Sequence, residues 1–365
     1  MKSKNLRKIG VLTGGGDCPG LNAVIRAVTK TALYQYGLRV WGIEDGYEGL
    51  LDKRGHELTA EDVSGILTHG GTILGTSNTA NPFYVPVIRG RKISYEDHSE
   101  KACRHFLEWE LDGLIVIGGE GTLAIAQRLY EKGIPVVGIP KTIDNDLSET
   151  DYTFGFKTAV SIATDALDRL HTTGASHHRV MILEVMGRNA GWIALYAGTA
   201  GGADIILIPE IPFRLETVYN EVKHRAQSGK RFSLIIVAEG ACEKGKSVVI
   251  RKKDKKNPYP VKLGGVANNL ADKIEQATGI ESRAAILGHI QRGGSPIPYD
   301  RNVGTLFGYY AVELMVEGKW GHMVSLDGQR IRSVSIKDAV RTIKKVPLNH
   351  PLIKAAQAVG TSFGV

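Results

Sequence analysis

Short apolar runs alternate along the chain with longer segments that repeat apolar residues at helical spacing. In the first part, the predicted strands KIGVL, LRVWGI, DGLIVIG and IPVVGI alternate with helix-like segments such as GLNAVIRAVTKTALYQYG and EGTLAIAQRLYEKG. From residue 153 the rhythm resumes, with RVMILEV, DIILIP, RFSLIIVAEG and ESRAAILGHI as predicted strands. Apolar strands separated by helices are typical of parallel sheets covered on both faces. We therefore predict an α/β fold of two doubly wound, Rossmann-like domains with mainly parallel sheets.

The main domain boundary is predicted near residues 150–155, where one series of strands ends and the next begins. The length of 365 residues also favours two domains. The segment 244–262 is predicted to be a polar insertion between a strand and a helix. Its basic run RKKDKK, at 251–256, is expected to form a solvated loop.

Composition and charge exclude several classes of protein. The net charge is +8, but no RNA-recognition or helix-turn-helix pattern accompanies it, so we expect no nucleic-acid partner. No apolar stretch approaches the roughly 18 residues of a membrane span, and the N-terminal segment lacks the apolar core of a secretory signal. Three widely spaced cysteines, Cys18, Cys103 and Cys242, match neither a disulfide framework nor a metal site. These features predict a reduced, cytoplasmic protein without a membrane partner.

Polar clusters directly follow the predicted strands. They are TGGGDCPG, GGEGT, KTIDND, MGRNAG, AEG and HIQRGGSP. In open parallel sheets, ligands bind at the carboxyl ends of the strands. We therefore expect an active site in the cleft between two domains.

Two of these clusters are rich in glycine and open a helix. Loops such as TGGGDCPG (13–20) and GGEGT (118–122) bring backbone N–H groups close to a phosphate. Glu120 is a candidate ligand for magnesium on a polyphosphate. The alternatives are a purely structural glycine turn and an acid favoured in the first turn of a helix.

The cluster KTIDND places two carboxylates close together. Asp144 and Asp146 would share one face if the strand continued through them. One would then accept a proton from a substrate hydroxyl while the other holds magnesium. The alternative is a turn and helix-cap sequence.

The second half of the chain supplies basic residues around its predicted strands. They are Arg179, Arg188, Arg283, His289 and Arg292. Arginine matches phosphate oxygens bidentately, and Glu239 is suited to accept hydrogen bonds from sugar hydroxyls. Acidic loops in the first half and basic loops in the second favour a kinase that acts on a phosphorylated small molecule.

Several stretches together resemble the phosphofructokinase family. They are GGDCPGLNAVIR (15–26), GGEGTL, PKTIDND (140–146), SHHR (176–179), EVMGRNAGWIAL (184–195), AEG (238–240) and LGHIQRGGSPIPYDR (287–301), in family order and covering the chain to about residue 345. The resemblance implies that fructose 6-phosphate is phosphorylated on its 1-hydroxyl by Mg-ATP, in glycolysis. It implies a donor domain of residues 1–155 with 291–341, and a fructose 6-phosphate domain of residues 156–290 with 342–365. It also implies a homotetrameric, allosteric enzyme.

The resemblance assigns a role to individual residues. It implies catalytic roles for Asp144 as base, Thr142 and Arg188. It implies sugar-phosphate contacts from Thr142, Asp146, Arg179, Met186, Gly187, Arg188, Glu239, Arg283, His289 and Arg292. It implies donor contacts from Gly15, Gly16, Gly119, Gly121, Thr122 and Lys141, and Mg²⁺ ligands in Glu120 and Asp146. Arg179 and Arg283 match arginines that reach the phosphate from the neighbouring subunit, which implies shared active sites.

Two positions disagree about the phosphoryl donor. In the family, glycine at position 121 accompanies ATP, because a carboxylate there would repel the nucleotide. Lysine at position 141 is more typical of pyrophosphate users. Gly121 has more weight because a lysine can swing aside, so we expect ATP, with a pyrophosphate-dependent enzyme as the alternative.

Three further positions depart from the family pattern. Glu120 stands where aspartate is more common, and Asn78 where bacterial ATP enzymes carry an arginine that bridges the two phosphates. Arg26 and Lys30 match basic effector-site residues, but His171 replaces an expected arginine, which leaves the effectors open. These departures keep open the alternative of a catalytically weak, regulatory family member.

Overall fold

The structure is a computed structural model that describes residues 6–90, 92–253 and 261–365. Within these ranges the strands, in chain order, are β1 (Lys8–Thr13), β2 (Arg39–Ile43), β3 (Gly55–Leu58), β4 (Val85–Arg89), β5 (Lys92–Glu96), β6 (Gly113–Gly118), β7 (Val136–Thr142), β8 (Phe154–Gly155), β9 (Val180–Val185), β10 (Ile205–Leu207), β11 (Ser233–Ala238), β12 (Ile250–Lys253), β13 (Val261–Leu263), β14 (Ser282–Ile286), β15 (His322–Asp327) and β16 (Arg330–Ser335).

The helices of the same ranges connect most of these strands. They are α1 (Leu21–Tyr36), α2 (Tyr47–Asp52), α3 (Ser99–Glu108), α4 (Glu120–Glu131), α5 (Phe156–His177), α6 (Trp192–Ala200), α7 (Leu215–Gln227), α8 (Val266–Thr278), α9 (Pro298–Val316), α10 (Ile336–Ala339) and α11 (Pro351–Ala358), with short 3₁₀ helices at Ile66–Thr68 and Gly288–Arg292. None of the helices that the structure describes is long and apolar enough to cross a membrane.

The chain divides into two compact units. The first comprises Met1–Ile143, Leu147–Lys157 and Arg292–Ile343, described from residue 6 onward except for residue 91. Its sheet has the strand order β16-β15-β7-β6-β1-β2-β3, with β8 paired to β7. The inner pairs are parallel, whereas β2–β3 and β15–β16 are antiparallel. Every residue of β6 is buried, which agrees with a strand covered on both faces.

The second unit comprises Asp144–Asp146, Thr158–Gln291 and Lys344–Val365. Its main sheet is parallel throughout, in the order β10-β11-β9-β14. Strands β9, β10 and β11 are fully buried, but β14 lies at the edge and its side chains are mostly part-exposed. Apolar residues from β9, β10 and β11 form one core with α7 and α8.

The predicted α/β fold with mainly parallel sheets is confirmed. The apolar runs form the central strands β1, β2, β6, β7, β9, β10 and β11. The antiparallel pairs β4–β5 and β15–β16 are not predicted, because β4 and β16 are partly exposed and show no continuous apolar run. The basic run is described only to Lys253, where β12 pairs antiparallel with β13; residues 254–260 lie outside the described part of the chain.

The contact between α1 and α9 generates a stability prediction. A Cβ atom on Gly308 of α9 would lie 2.6 Å from Cβ of Ala27 and 2.7 Å from the carbonyl oxygen of Val24. We expect Gly308→Ala to lower the free energy of unfolding by about 1–3 kcal/mol relative to Gly304→Ala, because overpacking forces the helices apart. Gly304 is the matched control, since its closest neighbours would lie at 3.2–3.3 Å and both variants gain the same helix propensity. Equal thermal midpoints for the two variants would contradict this packing.

Candidate active site

The glycine-rich loop after β1 is fixed by backbone hydrogen bonds on both sides. The amide of Gly14 donates to the carbonyl oxygen of Ile117 at 3.0 Å, and that of Gly15 to the carbonyl oxygen of Ser77 at 3.1 Å. Gly15 has a φ of +78°, which favours glycine. The exposed Asn78 directly follows Ser77, whose carbonyl oxygen accepts the hydrogen bond from Gly15.

Two cationic side chains lie against this loop. The ammonium of Lys141, only 4% exposed, donates a hydrogen bond to the carbonyl oxygen of Gly16. The guanidinium of Arg292 covers Gly16 so closely that a Cβ atom there would lie 1.9 Å from Nη1. Glycine at position 16 is thus required for the approach of Arg292. Two cations beside this loop make it suitable for a polyphosphate.

Cys18 lies in the same region but is not a nucleophile. Burial raises the pKa of its thiol to about 12, and the nearby Lys141 acts in the opposite direction. The thiol lies 3.7 Å from the carbonyl oxygen of Phe154 as a weak hydrogen-bond donor. At neutral pH it is therefore protonated, and it serves packing rather than reactivity.

The second glycine turn packs against the first through Thr122. A Cβ atom on Gly14 would lie 2.6 Å from Cγ2 of Thr122, and one on Gly118 would lie 2.3 Å from the same atom. The backbone of Thr122 is held in turn, because the hydroxyl of Tyr47 donates to its carbonyl oxygen at 2.7 Å. The two glycine turns predicted to bind the donor are therefore neighbours.

The N-terminus of α4 opens from this second turn. Gly119 occupies the N-cap position and offers no side chain to the first amide groups of the helix. Glu120 and Gly121 are the first residues of α4, and the side chain of Glu120 is exposed. An exposed carboxylate at the N-terminus of a helix fits a cation that accompanies a phosphate.

The PKTIDND segment is a turn at Asp144 and Asp146, which corrects one expectation. The strand β7 ends at Thr142, whose carbonyl oxygen accepts a hydrogen bond from Oγ1 of Thr153 at 2.7 Å. Asn145, only 1% exposed, has a φ of +50° and turns the chain between the two aspartates. The two carboxylates therefore do not share one face of an extended strand. Their positions are fixed by the turn, in which the amide of Lys344 donates to the carbonyl oxygen of Asp146 at 2.8 Å.

At the carboxyl ends of β9 and β11, two backbone segments pack directly on each other. The amide of Glu239 donates to the carbonyl oxygen of Val185 at 2.9 Å, and that of Gly240 to Gly187 at 3.1 Å. A Cβ atom on Gly240 would lie 2.0 Å from the carbonyl oxygen of Arg188. This packing brings together the predicted sugar contacts Met186, Gly187, Arg188 and Glu239.

The neighbouring segment is organised by residues that sequence reasoning missed. The side-chain oxygen of the buried Gln291 accepts a hydrogen bond from the amide of Met186 at 3.3 Å. The buried carboxylate of Glu184 accepts hydrogen bonds from the amides of Gly265 and Ala267 at 2.9 Å, at the start of α8. His289, from the 3₁₀ helix Gly288–Arg292, is exposed. Both buried residues adjoin predicted motifs, but their sequence position alone does not indicate these partners.

Arg179 and Arg283 lie apart from this group, at the other end of the sheet. Arg179 precedes β9, and Arg283 of β14 pairs with Met181, so both lie at the amino end of these strands. The six residues of β9 separate that end from Met186 by about 20 Å. Both arginines instead contact Glu281, at 2.6 Å for Nε of Arg179.

Comparisons with known proteins point to one family. A family model described as Phosphofructokinase matches residues 8–315. The chain is 49% identical over 360 residues to ATP-dependent 6-phosphofructokinase 2 of Clostridium perfringens, covering 98% of each. It is 50% identical over 341 residues to the pyrophosphate–fructose 6-phosphate 1-phosphotransferase of Amycolatopsis methanolica, covering 93% and 96%. The crystal structure of Pichia pastoris phosphofructokinase in the T-state matches with a TM-score of 0.79 and 33% identity, over 93% of this chain and 38% of that chain.

The positive φ of Asn145 generates a prediction about the turn. Asparagine tolerates the left-handed region, whereas a β-branched residue there is strained by about 1–3 kcal/mol. We expect Asn145→Val to lower the turnover number about tenfold or more, because the turn that fixes Asp144 and Asp146 is distorted. Asn145→Gly keeps the backbone conformation and should retain more turnover than the valine variant. Equal turnover of the two variants, measured at saturating substrates with thermal midpoints as a fold control, would refute the role of this turn.

Proposed function

The chain belongs to the phosphofructokinase family, and we propose that it transfers the terminal phosphoryl group of ATP to the 1-hydroxyl of fructose 6-phosphate, in glycolysis. The observation that carries this proposal is the full-length likeness to relatives named ATP-dependent 6-phosphofructokinase. Gly121 supports ATP as the donor, since glycine places no side chain in the first turn of α4. The two glycine turns, joined through Thr122 and lined by Lys141 and Arg292, support a polyphosphate donor.

The proposed mechanism is an in-line transfer with Asp144 as general base. Its carboxylate would take the proton of the 1-hydroxyl while Thr142 contacts the substrate and Arg188 stabilises the charge on the transferring group. Met186, Gly187, Glu239 and His289 would orient the sugar phosphate, and Arg292 is proposed to contact its 6-phosphate. Arg292 lies against Gly16 in the structure, so this guanidinium is also available to the donor loop. Positioning and charge stabilisation account for most of the rate of such transfers.

Magnesium is proposed as the metal that accompanies the donor. In the part of the chain that the structure describes, no group of three or more His, Cys, Asp or Glu side chains is arranged to hold a metal ion. Magnesium is commonly held by one or two carboxylates together with substrate phosphates. Glu120 and Asp146 therefore fit as ligands of an ion that arrives with the polyphosphate, where it would neutralise phosphate charge.

We propose a homotetramer in which neighbouring subunits contribute Arg179 and Arg283. The support is their position at the amino ends of β9 and β14, away from the other predicted sugar contacts. The edge strand β14 and the following 3₁₀ helix also carry the exposed apolar residues Ile286 and Ile290. An exposed edge strand with apolar side chains is suited to association with a second copy.

Regulation and location are further parts of the proposal. We propose allosteric regulation with an altered effector response, because the ring of His171 packs edge-on against Phe232 at 4.9 Å in place of an arginine. We propose a cytoplasmic location, which agrees with three cysteines that all lie in the described residues as free thiols.

A pyrophosphate-dependent reaction is the second candidate function. Lys141 beside the glycine loop and the similarity to the pyrophosphate enzyme of Amycolatopsis methanolica favour it. Parallel assays of the purified chain with fructose 6-phosphate and either ATP or pyrophosphate decide between the donors. Activity with pyrophosphate alone would overturn the proposal of ATP.

The assignment of the base generates a direct prediction. Asp144→Asn should lower the turnover number by about two to four orders of magnitude, because the amide cannot accept the proton. Binding of fructose 6-phosphate should change little, which calorimetric titration measures. Asp165→Asn removes the same charge from the exposed face of α5, where Asp165 pairs with Arg169 at 2.8 Å, and serves as the control. Near-normal turnover of Asp144→Asn would rule out this residue as the base.

The role of Gly121 generates a second prediction. A carboxylate next to a nucleotide phosphate costs several kcal/mol, so Gly121→Asp should lower kcat/KM for ATP at least about tenfold. The ratio of pyrophosphate to ATP activity should rise. Gln127→Asp adds the same charge further along α4 and should leave this ratio unchanged. An unchanged ratio in Gly121→Asp would show that position 121 does not select the donor.

A further inference from the structure

Glu281 is the shared partner of the two arginines at the amino end of the β9–β14 pair. Nε of Arg179 donates to Oε2 of Glu281 at 2.6 Å, and Nη2 of Arg283 donates to Oε1. Both oxygens of one carboxylate are therefore engaged by different guanidinium groups. The Glu281 side chain is 37% exposed and that of Arg283 is 53% exposed, so both remain accessible to a small anion.

The remaining terminal nitrogen of Arg283 is also engaged within the chain. Nη1 donates to the carbonyl oxygen of Ser282 at 2.9 Å and lies 3.5 Å from Oε2 of Glu275. Glu275 is itself held, because it accepts a hydrogen bond from the amide of Ser282 at 3.0 Å. Two guanidinium groups thus face two carboxylates, and their formal charges cancel.

A phosphate and a carboxylate use the same guanidinium donors. Both anions accept charge-assisted hydrogen bonds from arginine, often in bidentate pairs. A phosphate that binds Arg179 and Arg283 must therefore displace Glu281 or share its donors. A retained carboxylate beside the phosphate would add like-charge repulsion, which makes displacement the more favourable arrangement.

We propose that Glu281 occupies Arg179 and Arg283 in place of the substrate's phosphate. Because the phosphate must displace this carboxylate in order to bind, Glu281 raises the KM for fructose 6-phosphate. This inference rests on the proposed function, which assigns both arginines to that phosphate. Glu281 acts on the substrate only through the two arginines and is a specificity-setting positioning residue. Its effect falls on substrate binding and not on the chemical step, because the two arginines that it contacts are assigned to the sugar phosphate and not to the reacting 1-hydroxyl.

The test is the variant Glu281→Gln, which keeps the shape of the side chain and removes its charge. We expect the KM for fructose 6-phosphate to fall about threefold to tenfold, as for the loss of a partly exposed ion pair. The turnover number should stay within about twofold, since the transition-state contacts are unchanged. Glu281→Asp keeps the charge but shortens the reach, and its KM should fall by less than that of the glutamine variant.

Glu275→Gln is the matched control, because it removes the same charge from the same cluster but lies 3.5 Å from Arg283 alone. Its KM should change less than about twofold. A KM that is unchanged or raised in Glu281→Gln, or lowered equally in Glu275→Gln, would overturn the inference. A fall in turnover number without a fall in KM would also overturn it. A parent chain inactive with fructose 6-phosphate and either donor would instead refute the proposed function, so the two failures are distinct.

Discussion

The hydrogen bond from the buried ammonium of Lys141 to the carbonyl oxygen of Gly16 is the contact on which the candidate site depends. It joins the end of β7, which leads into the PKTIDND turn, to the glycine loop after β1. A buried ammonium is costly unless its donors are satisfied, so this contact stabilises the packing of the loop against the strand. The guanidinium of Arg292 on Gly16 adds a second positive charge. The loop thus lies in a positive potential, which suits a polyphosphate.

The central strands and the polar clusters after them could be predicted, because a parallel strand buried on both faces reads as a continuous apolar run. The strands β9 and β11 are examples, with every side chain buried. The hairpin β15–β16 could not be found in this way, because β16 is part-exposed and its residues show no clear apolar run. The turn at Asn145 depends on a left-handed backbone that asparagine tolerates but does not require. The sequence therefore indicates the two carboxylates but not their geometry.

The positions of Arg179 and Arg283 show why residue type alone does not predict which side chains lie together in the site. Arginine near a strand suits phosphate at either end of that strand, and only the register shows which end it occupies. Arg283 pairs with Met181, near the start of β9, and Glu281 connects it to Arg179. Glu281 carried no signal in the sequence, since an acid beside arginines is common on protein surfaces. The structure shows that Glu281 contacts both arginines at once. This pair lies at the end of the sheet opposite to Met186 and Glu239.

The structure also changes how Lys141 bears on the choice of donor. A lysine at this position suggested pyrophosphate because an ammonium can hold a small polyanion. Its hydrogen bond to Gly16 shows that the lysine also has a partner inside the protein. Lys141 is therefore compatible with either donor. We propose that the donor is selected at the start of α4, where an aspartate at position 121 would add bulk and negative charge. Since relatives of nearly equal identity are named for different donors, such local geometry is a better guide to the donor than overall similarity.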